Sequence, residues 1–226
     1  MNITNRFKRC FKPRFAVIYP FGIFVLFFCS SDEHSLKNGI GYIIAGALLR
    51  LWSNGYAIKN DRLTTSGPYA FVRNPLYLGT LLIALGLTIV LKMDLAMTVL
   101  FLAVLGWVYS KTIRGEETML RAKFGEEYKK YCSKIPALVP SLVPYIQGEK
   151  WPFRIQRLID SKEHKPVFWI IILLIVFHLK TRLLLEHKPM TAKTWAWVAL
   201  GLVLIGLDIL YEFNKKKIHA INSDRH

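Results

Sequence analysis

Six apolar stretches recur along the chain, at about residues 15–29, 39–57, 76–91, 95–110, 166–185 and 194–213. They dictate a membrane-spanning fold. A run of ~20 apolar residues crosses ~30 Å of hydrocarbon, where every backbone polar group must be satisfied inside a helix. The expected fold is therefore all-α, a polytopic transmembrane helical bundle of about six spans. The first stretch, FAVIYPFGIFVLFFC, follows Arg6, Lys8, Arg9, Lys12 and Arg14. A signal peptide has the same basic start and apolar core, but Phe28 before Cys29 offers neither a small-residue cleavage site nor a lipoprotein box, so a retained span is expected. The third and fourth stretches are separated only by Lys92, Met93 and Asp94 and read as a tight helical hairpin with a charged tip. Lys180 and Arg182 shorten the clean apolar core of the fifth.

Charge placement orients the bundle. With the N-terminus inside, 24 of the 31 Lys and Arg fall in residues 1–14, 58–74, 111–165 and 214–226, all cytoplasmic in a six-span topology. The other side holds Lys37, Lys92, Lys180, Arg182, Lys188 and Lys193, so the excess obeys the positive-inside rule. The expected location is the cytoplasmic or inner membrane, with both termini cytoplasmic. A net charge of +16 spread over loops beside a membrane calls for anionic lipid, not nucleic acid, as the partner. Cys10, Cys29 and Cys132 form no Cys-x-x-Cys pair and the six histidines keep no ligand spacing. Neither a disulfide framework nor a metal is expected.

The chain carries no internal repeat. Residues 1–154 are expected to form a membrane core, with residues 155–226 an appended amphipathic segment and two C-terminal spans. Two segments of the core carry chemistry. In GPYAFVRNPLYLG, residues 67–79, Gly67 and Pro68 favour a turn, and Asn74 followed by Pro75 is a helix-start signature. The amides and positive dipole end of that helix, with Arg73 beside them, suit a carboxylate or phosphate; an Arg just before such a helix usually serves as an interfacial anchor, and by mechanics alone that is the favoured role.

The second segment is RGEETMLRAKFGEEYKKYCSKIPALVP, residues 114–140. Leu120, Phe124, Tyr128 and Tyr131 recur at spacings of four, four and three, which predicts an amphipathic helix with one apolar stripe. Glu117 continues the stripe. A carboxylate there requires a hydroxyl, an amine or an Arg, and pairing with Arg121 one turn on is the structural alternative to a functional role for Glu116 and Glu117. Pro136, Pro140 and Pro144 then end the helix and predict a stiff extended cover or a tether. Within the second span, Arg50 and Asn54 share a face and point to a polar pocket, with Asp208 a possible counter-ion for Arg50 or for a nearby Lys. Gly41 and Ala45 offer a small-residue packing surface.

Taken jointly, GPYAFVRNPLYLG and EETMLRAKFGEEYKKY resemble the isoprenylcysteine carboxyl methyltransferase family, with its bacterial relatives and phospholipid N-methyltransferases, over roughly residues 38–140. The family pattern reads Gly-x-Tyr, then Arg-His-Pro-x-Tyr-x-Gly, then a Glu-Glu helix ending in Phe-Gly-x-x-Tyr-x-x-Tyr and a Pro-containing tail. The resemblance implies S-adenosylmethionine bound in a cytoplasmic helical cap. It implies that Tyr69, Arg73, Asn74, Pro75, Tyr77, Gly79, Glu116 and Glu117 contact that cofactor. Arg114, Glu117 and Arg50 are the implied catalytic or acceptor-orienting groups, and a lipidic or prenylated small acceptor would approach from the bilayer. Asn74 replaces the family His, and Asn cannot exchange protons near neutral pH, so no role needing imidazole is carried over.

Methyl transfer from a sulfonium is an in-line displacement that needs alignment and exclusion of water. A carboxylate acceptor needs no base, whereas an amine must first lose a proton, for which Glu116 or Glu117 would serve. Carboxylate O-methylation is the favoured expectation. Its rivals are an NADPH-dependent membrane reductase of a sterol or fatty chain, which shares an Arg-x-Pro-x-Tyr loop, and a non-catalytic membrane scaffold.

Overall fold

Of the chain's 226 residues, the computed structural model describes residues 27–58, 62–161 and 164–223. The described residues are helical or irregular with no strand. The first expected span, 15–29, lies almost wholly outside them. The chain divides into two compact units, one ending at Ser161 and one beginning at Lys162.

In the first unit, α1 (Glu33–Tyr56) and α2 (Pro75–Val90) form the central pair. Asp32 starts α1, its carboxylate accepting from the Ser35 backbone amide at 2.7 Å while Ser35 Oγ accepts from the Asp32 amide at 3.0 Å. Such reciprocal caps satisfy donors that a helix start otherwise leaves free. The expectation that Gly41 and Ala45 form the packing surface does not hold, since a Cβ on Gly41 would meet open space. The contact falls instead on Gly39 and Gly46, seven apart, against Gly86 and Gly79, also seven apart. A Cβ on Gly39 would lie 2.5 Å from the Gly86 carbonyl oxygen, and one on Gly79 would lie 2.8 Å from that of Gly46. Two glycines on each helix therefore let the backbones touch at two levels.

A tight turn joins α2 to α3 (Leu95–Lys134), as the short charged tip predicts. Lys92 adopts a positive φ of 51° there, and its ammonium reaches Asp32 at 2.9 Å. Ser35 Oγ donates to the Val90 carbonyl at 2.9 Å, fixing the start of α1 to the end of α2.

One residue reshapes α3. Gly125 has φ 52° and ψ −121°, a conformation closed to residues with a Cβ. Along a straight helix Glu117 and Cys132 would stand about 22 Å apart, yet the Arg73 guanidinium touches both, at 3.1 and 2.7 Å. α3 therefore runs outward to Phe124, folds back at Gly125 and returns to Lys134. The expected single apolar stripe is corrected accordingly: Leu120 and Phe124 on the outgoing arm and Tyr128 and Tyr131 on the returning arm converge on one cluster with Leu63 and Ile135.

Beyond α3, the proline-spaced segment lies back along the first motif. The Arg73 and Asn74 amides donate to the Pro136 and Ala137 carbonyls at 3.0 and 3.1 Å, and the Ser141 and Tyr145 amides donate to the Phe71 and Ala70 carbonyls at 2.7 and 2.8 Å. The chain then returns to the end of α1, where the Arg154 amide donates to the Gly55 carbonyl at 3.0 Å, and closes with the short α4 (Ile155–Ser161).

The second unit holds α5 (His164–Lys180), prolonged by a π-helical turn over Thr181–Leu185, and α6 (Ala192–Ser223). Lys180 and Arg182 thus do not end the helix. Asp208 meets Lys165 at 3.3 Å within this unit, so its observed counter-ion is a Lys. Among the described residues three helices are long and apolar enough to cross a membrane, Leu95–Lys134, Lys165–Leu185 and Ala192–Tyr211, and α2 is a shorter apolar helix. The protein is an all-α integral membrane protein.

Candidate active site

The two motifs meet. A 3-10 turn over Gly67–Ala70 presents Tyr69, and the extended residues after it bring Arg73 and Asn74 to the mouth of α2. The fold-back of α3 supplies the facing wall. Between them lies a chamber of about 410 Å³ with Tyr69, Arg73 and Asn74 on one side and Lys123, Phe124 and Tyr128 on the other. That volume is in the range of small-molecule and cofactor sites.

Arg73 is its most constrained polar group. Nη1 lies 3.1 Å from Glu117 Oε1 and donates to Cys132 Sγ at 2.7 Å. Its side chain and that of Glu117 are each 14% exposed. Among the described residues, Arg73 Nε is buried without a hydrogen-bond partner, and Glu117 Oε1 is buried with the ion pair to Arg73 but no hydrogen bond. Buried groups of this kind are costly unless something satisfies them. Burial alone would lower the Arg73 pKa, but Glu117, Cys132 and Tyr128 outweigh it and raise it, so the guanidinium stays charged. Burial, then Glu117, push the Tyr128 hydroxyl well above its ordinary range, and burial, then Tyr128, do the same to Tyr131. Tyr131 donates to the Tyr69 carbonyl, tying the returning arm to the turn.

The remaining candidates are dispersed around this centre. Asn74 occupies the N-cap position of α2 with Pro75 behind it, but its side chain makes no cap bond. Its Nδ2 instead donates to the Ala137 carbonyl of the covering segment at 3.2 Å, which turns the amide towards that segment. Tyr77 stands outside the chamber, donating to Glu116 Oε1 at 2.8 Å and packing against Tyr109 with ring centres 5.0 Å apart. Gly79 sits in the contact with Gly46 beneath the Arg50 stem. Arg50 reaches across to α2, donating to the Leu76 carbonyl at 3.1 Å and to Thr80 Oγ1. Asn54 donates back to the Arg50 carbonyl at 3.0 Å, so the two do not form the polar pocket their spacing predicts. Arg114 lies on the exposed side of α3 with Nε on the Ser110 carbonyl at 3.1 Å. Glu117 pairs with Arg73 rather than Arg121.

Sequence reasoning missed Cys132, Lys123 and Arg62 as members or neighbours of the chamber. The available signal was Gly125 between Phe124 and Glu126, a glycine inside a helical pattern where a fold-back can occur. Arg62 is held by Glu149 at 2.9 Å and lies over Trp151, contacts between distant segments that no local spacing encodes. Among the described residues no group of three or more His, Cys, Asp or Glu side chains gathers as a metal site would.

Residues 39–127 match a family model described as phospholipid methyltransferase. The family resemblance is borne out over that stretch. A protein-S-isoprenylcysteine O-methyltransferase of Schizosaccharomyces pombe is 40% identical over 86 residues, covering 38% of this chain and 36% of the relative. The cobalt-zinc-cadmium resistance protein CzcN of Cupriavidus metallidurans is 36% identical over 104 residues, 45% of this chain and 47% of that protein. A protein-S-isoprenylcysteine O-methyltransferase of Xenopus laevis is 33% identical over 111 residues, 46% of this chain and 36% of the relative. The chain thus spans less than half the length of each of these relatives. No solved structure matches it. The matched region contains both Arg73 and Glu117 and ends just before Tyr128, Tyr131 and Cys132.

Proposed function

We propose that this protein is an integral membrane methyltransferase that uses S-adenosylmethionine to methylate a lipidic or prenylated small acceptor at the cytoplasmic face, with carboxylate O-methylation the favoured chemistry. The observation that carries the reading is the Arg73–Glu117 pair at the chamber built from both motifs, its Arg73 Nε buried without a partner among the described residues. An unpaired guanidinium nitrogen fits the carboxylate of an amino-acid-like cofactor. Tyr69, Phe124 and Tyr128 offer aromatic faces for a heteroaromatic ring and a cationic sulfur. When bound, S-adenosylmethionine supplies a methyl group on a positively charged sulfur.

In this reading the chain's residues position and exclude. Glu117 and Cys132 hold the Arg73 guanidinium, and Tyr131, through Tyr69, holds the turn against the returning arm. Tyr128 and Tyr131 remain protonated and act as walls, not bases. Arg114, exposed on the outgoing arm with its guanidinium on the Ser110 carbonyl, is proposed to orient an acceptor carboxylate. Arg50, spent on Leu76 and Thr80, supports the start of α2 from beneath. The core is assigned to residues 1–154 and the C-terminal spans to an appended part. Relatives named isoprenylcysteine O-methyltransferases support the prenylated acceptor.

Titrating the purified protein in nanodiscs with S-adenosylhomocysteine and with NADPH tests the cofactor class. Saturable binding of S-adenosylhomocysteine without binding of NADPH is expected. The reverse pattern would replace this reading with the reductase one, and binding of neither would leave the scaffold.

A further inference from the structure

The segment at 136–146 presents two unlike edges. Its inner edge is spent on the first motif, through the Pro136 and Ala137 carbonyls and the Ser141 and Tyr145 amides, and the Tyr145 ring packs on Tyr131 at 5.1 Å. Between and just beyond those anchors the strap exposes apolar side chains. Leu142 is 98% exposed, and Val139, Val143 and Ile146 are each at least two-thirds exposed. Isolated exposed apolar residues are ordinary, but four within eight positions of a stiff strap form a surface that water alone does not explain.

Its level in the fold identifies what covers it. The strap is bonded to Ala70, Phe71, Arg73 and Asn74, the residues that lead into α2. α2 is an apolar helix of 16 residues, about 24 Å long, which is most of the ~30 Å depth of a hydrocarbon layer. The other end is marked by the ion pair of Lys92 with Asp32. The strap therefore lies at the membrane boundary on the motif side, next to the lipid-long helix α3 that delivers it. Lys134, Lys150 and Arg154 are exposed around it. A second copy of a chain with net charge +16 would meet those cations with repulsion, whereas an anionic leaflet would attract them.

We propose that the 136–146 strap is a membrane-docking segment whose Val139, Leu142, Val143 and Ile146 side chains insert at the headgroup–acyl boundary of an anionic leaflet. Because its inner edge holds Arg73 and Asn74 by their backbone, docking fixes the mouth of the chamber at the lipid surface. The surface stands whether or not the chamber binds a methyl donor. The test is a nitroxide on Leu142→Cys in nanodiscs of mixed phosphatidylglycerol and phosphatidylcholine, with Lys129→Cys on the exposed returning arm as the aqueous reference and the unsubstituted protein as background for Cys10, Cys29 and Cys132. Both substitutions are at exposed positions and leave the packing intact. Oxygen is expected to relax the label at 142 severalfold more strongly than a water-soluble nickel chelate, with the opposite order at 129. Chelate-dominated relaxation at 142, matching 129, would place the strap in water and overturn the proposal. Loss of collisions with both reagents at 142 would mean protein covers it, and would overturn it equally.

Discussion

At the scale of single residues, Gly125 does most to create the candidate site. Its backbone conformation alone lets Glu117 and Cys132 approach the same guanidinium. A Cβ there would meet no neighbouring atom, so Gly125→Ala isolates backbone strain from packing. It is expected to destabilise the folded protein by about 1–3 kcal/mol, seen as a lower unfolding temperature in detergent. Gly115→Ala, in the same helix with open space around it, is expected to be neutral or stabilising by up to ~1 kcal/mol. Equal effects of the two would mean the fold-back is not built on Gly125. Tyr131 and Tyr128 make a second residue-scale prediction. Burial raises both hydroxyls above the ordinary value of 10.0, so above that pH the unfolded chain has released protons the folded chain retains. Their contribution is present in full below about pH 10 and is lost as pH rises through the raised values. Thermal unfolding between about pH 8 and about pH 11 should show that decline, and Tyr131→Phe should flatten it while costing about 1 kcal/mol at neutral pH through the lost bond to Tyr69.

At the scale of elements, the helices were readable from the sequence and their partnerships were not. Apolar run length announces α2, α3, α5 and α6, and the three-residue tip announces the hairpin between α2 and α3. The face on which α1 meets α2 is not legible from spacing, because Gly41 and Ala45 carry the four-residue small-residue spacing while the contact uses Gly39 and Gly46, two turns apart, and only three-dimensional register selects them. Gly39→Ala is expected to cost about 1–3 kcal/mol by forcing the helices apart, and Gly41→Ala to cost nothing measurable. Of the candidate site, the pairing of the two motifs was legible because an acidic residue on an apolar face requires a partner. That the partner is Arg73, not Arg121 one turn away, follows from the fold-back, a non-local event that helical periodicity cannot express. Asn-Pro is a local signature of a capped helix start, and the covering strap, a non-local partner, holds the Asn74 amide instead.

At the scale of the whole molecule, the distribution of charge makes a prediction about sidedness. With 24 of 31 basic residues on one side of the proposed topology, Lys92→Cys and Lys129→Cys should be labelled by a membrane-impermeant maleimide from opposite sides of sealed vesicles. Labelling from the same side would reject the topology. The functional proposal rests on the chamber where Arg73 is held by Glu117 and Cys132 and its Nε is buried without a hydrogen-bond partner among the described residues. Equilibrium binding of S-adenosylhomocysteine to Arg73→Gln, alongside the exposed control Arg121→Gln and with unfolding temperatures to certify folded protein, tests that claim most directly. The account predicts at least about a ten-fold loss of affinity for Arg73→Gln and none for Arg121→Gln. Undiminished affinity in a folded Arg73→Gln protein would contradict it.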